Sequence, residues 1–230
     1  MTAPKPLLAV LRRELAAAGT PERAEGARAY MKSAMPFHGV DVKTLRAICK
    51  ATFAAHPVTG AAAWRKDVLA VWRGARFREE RYAAIELTGD KRARAYQTMA
   101  SLPMYEEMIV TGAWWDLVDT LATKRLGEIL RSEPAPMRKA MRAWSRGENM
   151  WKRRSAILCQ ITFKKETDLD LLFDLIEPSI GSTEFFLRKA IGWALRSYAW
   201  TDEKPIVKYV EKNRARLSGL SIREALKNVR

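Results

Sequence analysis

Three stretches of this sequence share a pattern: REERYAAIEL at 78–87, KRRSAILCQI at 152–161 and LRKAIGWALR at 187–196. Each has a basic start, then a small residue, then Ile or Leu. Helical segments led by a large apolar residue open at Phe77, Trp114, Trp151 and Leu187, about 37 residues apart. A repeat of about 40 residues holding two helices marks a helical array. One helix pair cannot bury its apolar stripe alone, so pairs stack, and one row of helices lines a concave surface. The expectation is an all-α, HEAT-like or armadillo-like solenoid with a basic concave surface, in a single domain over 1–230.

The rest of the chain agrees with that period. Pro57, Gly60, Gly74, Gly89, Pro103, Gly112, Pro134, Pro136, Gly147, Pro178 and Gly181 cut it into helical lengths, and strand patterns are nearly absent. Helices are predicted near 5–18, 21–33, 41–55, 59–73, 77–88, 90–99, 104–111, 115–131, 136–145, 150–164, 168–177, 183–199, 202–213 and 221–229. TDEK at 201–204 and SIRE at 221–224 fit the capping box, with a hydroxyl at the cap and an acid in the first turn.

Composition narrows the function. Hydrophobic residues make up 48% and charged residues 29%, a globular mixture rather than a disordered one. No apolar run approaches the roughly 20 residues of a membrane span. The opening segment, MTAPKPLLAVLRRELAAAG, is interrupted by LRREL and lacks the uncharged core of a signal peptide. A cytosolic protein of bacterial type, with access to the nucleoid, is expected. Cys49 and Cys159 are the only cysteines, and in a reducing compartment two buried thiols are expected rather than a bridge. His38 and His56 are the only histidines, and no metal-ligand spacing exists, so neither a metal nor a cofactor is expected. The net charge is +15, from 41 Lys and Arg against 26 Asp and Glu. Such a surplus implies a polyanionic partner, nucleic acid first and an anionic membrane surface second.

Against that charge, WWDLVDT at 114–120 places two carboxylates beside two tryptophans. At 100° per residue, Trp114, Leu117, Val118, Leu121 and Ile129 share a core stripe. Asp116 points away from it. Trp115 and Asp119, four apart, share a face at the stripe's edge. In the next repeat Trp151, Arg154, Ile157, Leu158 and Ile161 fall on one side. A guanidinium within an apolar stripe is costly unless it is paired. Arg154 therefore meets a carboxylate such as Asp119, carbonyl groups at a helix end, or a phosphate. Lys152 and Arg153 point elsewhere, onto basic surface. Over 183–199, Leu187, Ala190, Ile191, Ala194 and Tyr198 form a core face. Phe185, Phe186, Lys189, Trp193 and Arg196 form the other, with Gly192 beside it permitting close approach. Aromatics interleaved with cations suit nucleic acid; the same pattern also suits a helix sandwiched on both faces.

Taken together, WWDLVDTL, WKRRSAILCQITFKKETDLDLLF, EFFLRKAIGWALRSYAWT and LSIREALKNV, with YMKSAMPFHGV nearer the start, resemble the AlkD family of DNA alkylation-repair glycosylases over about residues 25–230. The resemblance implies a HEAT-like solenoid that excises positively charged alkylated bases, 7-methylguanine and 3-methyladenine, from duplex DNA, without flipping the base. It implies a catalytic pair at Trp115 and Asp119, a cleft arginine at Arg154 and a second tryptophan at Trp193. Tyr30, Phe185 and Phe186 match residues lining the same cleft. With Lys152, Arg153, Lys189 and Arg196, these form the expected DNA contacts. The partner is double-stranded DNA containing alkylated bases, and a monomer is expected. The alternative is a noncatalytic HEAT-like DNA-binding or scaffold protein, in which Asp119 serves stability alone.

Overall fold

A computed structural model describes residues 6–229, which contain helices, turns and no strand. The chain forms two compact units, Met1–Tyr96 and Gln97–Arg230.

The first unit holds α1 (Leu7–Ala18), α2 (Pro21–Met31), α3 (Val42–Ala54), α4 (Ala61–Gly74) and α5 (Arg78–Thr88). The first expected residue of the 5–18 helix, Lys5, lies outside the described residues. α1 buries Leu7, Leu11 and Leu15, and α3 buries Leu45, Cys49 and Phe53, each at the four-residue spacing that makes one helical stripe. The α3 start is set by Asp41, whose carboxylate accepts from the Thr44 amide at 3.0 Å. α4 contributes Trp64, whose Nε1–H donates to the Leu87 carbonyl at 3.2 Å.

The most heavily constrained point is the buried first turn of α5. Glu79 Oε1 accepts from the Gly39 and Val40 amides at 2.8 and 3.2 Å, and its Oε2 accepts from His38 N at 2.9 Å. Gly39 sits at φ +84, where a Cβ would lie 2.0 Å from the Thr20 carbonyl oxygen, so both backbone strain and space demand glycine. Glu80 accepts from Arg12 at 2.7 and 2.9 Å and from the Arg76 amide at 2.7 Å, and His38 Nε2 lies 3.2 Å from it. These two acids tie α1, the 36–40 loop and α5 together.

The second unit holds α6 (Leu102–Gly112), α7 (Trp115–Thr120), α8 (Gly127–Ser132), α9 (Pro134–Arg146), α10 (Met150–Leu158), α11 (Leu169–Ile176), α12 (Phe185–Ala199), α13 (Lys204–Lys212) and α14 (Gly219–Ala225). α10 lies between α9 and α12, and α12 packs against α14. Their shared core includes Ala122, Ile157, Leu158, Leu172, Leu187, Ala190, Ile191, Leu195, Ile206 and Val210.

Several expectations need correction. The 90–99 segment is a 3₁₀ helix over Lys91–Tyr96, set by Asp90, which accepts from the Arg92 amide and its guanidinium. The single helix expected over 115–131 is broken by a π-helical turn, Leu121–Leu126, between α7 and α8. The 150–164 helix ends at Leu158, where Gln160 turns aside to exchange hydrogen bonds with the Asp168 backbone at 3.1 and 2.9 Å. Ile161 lies beyond the end of α10 and still packs against the core that holds Ile157 and Leu158. Neither capping box forms. α13 starts at Lys204 with Asp202 accepting from the Lys204 amide, and α14 is capped earlier, by Ser218, which accepts from Ser221 N at 3.0 Å. Ser221 instead donates its hydroxyl to the Arg188 carbonyl at 3.0 Å. Both cysteines are buried free thiols, as expected.

Two outcomes follow from these buried groups. Burial alone would push the Glu80 carboxyl up, but the hydrogen bonds from Arg12, His38 and the Arg76 amide outweigh it and hold the group at about 2. A carboxyl lowered on folding adds stability that is fully present above its unfolded value near 4.5 and is lost as pH falls toward 2. Glu80→Gln should lower unfolding free energy in urea by about 3 kcal/mol at pH 7 and by much less at pH 3; an equal loss at both would contradict this. Burial also pushes the Cys49 and Cys159 thiols up to about 12. A chromogenic disulfide reagent at neutral pH should label neither thiol in the native protein and both in denaturant. Fast labelling of the native protein would contradict the buried placement.

Candidate active site

The site is built where α7, α10 and α12 meet. α7 begins after Ala113, which takes the left-handed conformation at φ 42 and ends α6. Trp114 sits extended at the cap, so α7 presents Trp115 first and Asp119 one turn later, on the same face. α10 is capped by Asn149, whose Oδ1 accepts from the Trp151 and Lys152 amides at 3.0 Å each. That start places Arg154 in the first turns of α10, pointing at α7.

Arg154 meets two of the partners its sequence position left open, a carboxylate and a carbonyl at a helix end. Nε donates to Asp119 Oδ1 and Nη2 to Asp119 Oδ2, both at 2.7 Å, a bidentate pair. Nη1 donates to the Phe186 carbonyl at 2.5 Å. The Arg154 side chain is only 5% exposed, whereas the Asp119 side chain is 16% exposed. The acid is therefore the member of the pair that solvent reaches. Burial pushes the Asp119 carboxyl above its ordinary value, Arg154 opposes that rise, and Asp116 adds to it. Arg154 occupies two of the roughly four lone-pair positions of the carboxylate, so the outer pair is left for another donor or a cation.

Around this pair lies an aromatic nest. The Trp114 and Trp151 ring centroids are 6.3 Å apart, Trp151 and Phe186 5.0 Å, and Trp114 and Phe186 5.4 Å in an edge-on arrangement. Phe185 meets Phe186 edge-on and remains 53% exposed. Trp114, expected in the core, is half-buried because it caps α7 rather than lying within it. Trp115 and Trp193 are likewise half-buried, and Trp193 packs against the core of the second unit. Tyr30 lies on α2 in the first unit and is 77% exposed.

The expected basic contacts are already partnered. Lys152 Nζ donates to Glu106 at 2.5 Å, and Arg153 donates to the Ser179 hydroxyl at 3.1 Å and the Pro178 carbonyl at 2.9 Å. Lys189 donates to Glu224 at 2.8 Å, and Arg196 pairs with the other Glu224 oxygen. The Lys189–Arg196 side of α12 thus meets α14. Gly192 serves that packing, since a Cβ there would lie 2.4 Å from Glu224 Cβ and 3.0 Å from the Ser221 carbonyl oxygen. Glu224, the acid of SIRE, was expected to complete a capping box and instead pairs with Lys189 and Arg196. The Phe186 carbonyl, in the first turn of α12, is an acceptor of the helix-end kind expected for Arg154, although no residue type says which carbonyl it is. Among the described residues no cluster of side chains suits a metal ion, and no helix is long and apolar enough to cross a membrane.

The sequence matches the family model described as DNA alkylation repair enzyme over residues 11–229. The structure is similar to a solved one titled "Predicted DNA alkylation repair enzyme from Enterococcus faecalis", with a TM-score of 0.83 and 27% identity over 92% of this chain and 96% of that chain. No curated protein matches in sequence. A match that runs from α1 to the last described residue, on an all-helical fold shared with that structure, shows that this chain belongs to the DNA alkylation repair enzyme family.

Proposed function

We propose that the protein is a DNA glycosylase of the AlkD type, hydrolysing the N-glycosidic bond of positively charged alkylated bases, 7-methylguanine and 3-methyladenine, in duplex DNA. The observation that carries this reading is the Asp119–Arg154 pair, a bidentate ion pair whose carboxylate is its more exposed member.

A base alkylated at N7 or N3 already carries positive charge. It leaves without a general acid, which fits a site that contains no histidine. As the bond breaks, positive charge grows on the deoxyribose. A fixed carboxylate aimed at that charge stabilises the transition state more than the ground state. Asp119 takes this role, and its outer lone pairs can also orient the attacking water. Trp115 and Trp193 flank the sugar and share its charge through their ring faces. Arg154 keeps Asp119 ionised and in place, and its third hydrogen bond, to Phe186, holds it when DNA arrives. The base stays stacked, so selection rests on its charge rather than on a pocket, and neutral lesions such as uracil are left in place.

The noncatalytic scaffold reading gains from the same pair, because a buried arginine needs Asp119 for stability alone. Asp119→Asn separates the two. With N7-methylguanine DNA, the glycosylase reading expects wild-type protein to release base and leave an abasic strand, and the variant to be slower by about 10² to 10³-fold. Duplex binding should persist or tighten. A scaffold releases no base in either form. The pH profile gives a second outcome. Base release requires ionised Asp119, whose folded value is raised by burial. The rate should therefore fall on the acid side at a pH above the ordinary carboxylate range. A rate that stays flat down to pH 4 would sink the role given to Asp119.

A further inference from the structure

The break between α7 and α8 has a geometric consequence at Asp119. Leu117, Val118, Leu121 and Ala122 are fully buried before and within the π turn, and Leu126 and Ile129 are fully buried in and after it. At 100° per residue, an unbroken α-helix would put Leu126 about half a turn away from Leu117. The wider π turn takes up part of that rotation and brings Leu126 nearer the side of Leu117. Without it, bringing Leu126 to the side of Leu117 would turn the Trp115–Asp119 face away from Arg154.

One side chain holds the turn at the residue that matters. Thr123, buried within the π turn, donates its hydroxyl to the Asp119 carbonyl at 2.8 Å. Its own carbonyl accepts from the Thr162 hydroxyl at 3.4 Å, just beyond α10. After the turn, Gly127 brings the chain so near that a Cβ would lie 2.8 Å from the Cys159 carbonyl oxygen. The Asp119 side chain is thus fixed to α10 through Arg154, and its backbone is fixed to the chain following α10 through Thr123.

We infer that Thr123 is a positioning residue for Asp119: its hydroxyl holds the π-helical register that points the carboxylate at Arg154 and at the space beyond it. The kinetic side of this inference rests on the glycosylase reading; the geometric side does not.

Thr123→Val removes the hydroxyl while keeping the shape, and Thr123→Ser keeps the hydroxyl. Two measurements are made on folded protein, checked by thermal melting. The first is single-turnover base release from N7-methylguanine DNA together with the Kd for that duplex. The second is the NMR signal of the Arg154 Nε–H and its rate of exchange with water, assigned with Arg154→Lys. Thr123→Val should slow base release by about ten- to a hundredfold with Kd within about twofold. It should also shift the Arg154 Nε–H signal and speed its exchange, and Thr123→Ser should restore both. A wild-type Arg154 signal in Thr123→Val overturns the inference, as does a wild-type rate of base release. If wild-type protein releases no base while Thr123→Val still disturbs the Arg154 signal, the glycosylase reading falls and the positioning role stands.

Discussion

A guanidinium with 5% of its side chain exposed must have its donors met inside the protein, and Arg154 shapes the second unit around that need. Two donors go to Asp119 and one to the Phe186 carbonyl, so a single side chain fixes α7 and α12 against α10. The aromatic nest follows from the same junction. Trp114 precedes α7, Trp151 begins α10 and Phe186 begins α12, and their rings close over the place where the three helices converge. Two of the residues that define the period in sequence, Trp114 and Trp151, thus stand beside the buried charge.

The formal charge of +15 is distributed less simply than its size suggests. Lys152, Lys189 and Arg196, all at or near this junction, are held by Glu106 and Glu224. A phosphate reaching Lys189 or Arg196 competes with Glu224, and loosening Glu224 loosens α14 from the glycine-thin face of α12. Attraction of DNA then rests first on the long-range field of the excess charge. The local pairs set the geometry of the helices rather than supplying free cations.

The helical class and the period were legible because apolar spacing and the Gly and Pro punctuation act locally. The core face of α12 follows from its apolar spacing for the same reason. The proximity of Asp119 and Arg154 was legible only as a question: a cation and an acid each misplaced on an apolar edge, 35 residues apart. What stayed hidden depends on tertiary context. The π turn arises because two halves of one helix must bury the same side, a demand made by α10 and the core rather than by LATKRL itself. The early end of α10 comes from Gln160 bonding to a backbone eight residues later. The meeting of α12 with α14 turns on Gly192 and Glu224, whose contact no local pattern encodes.

Three carboxylates in this chain show why Asp119 stands apart. Glu79 spends both oxygens on three backbone amides, and Glu80 takes a guanidinium, an amide and His38; neither retains contact with solvent. Glu79 accepts three hydrogen bonds and Glu80 four, as suits groups that hold a loop and a helix start. Asp119 receives one guanidinium and nothing else at its side chain, at the solvent edge of an aromatic nest. An acid retained only to neutralise Arg154 would be equally well served, and better shielded, if its outer oxygen positions were also filled. Leaving them open keeps a desolvated negative charge at the surface of a cationic protein. That arrangement is the one the proposed glycosylase role requires, a carboxylate able to meet a second positive charge.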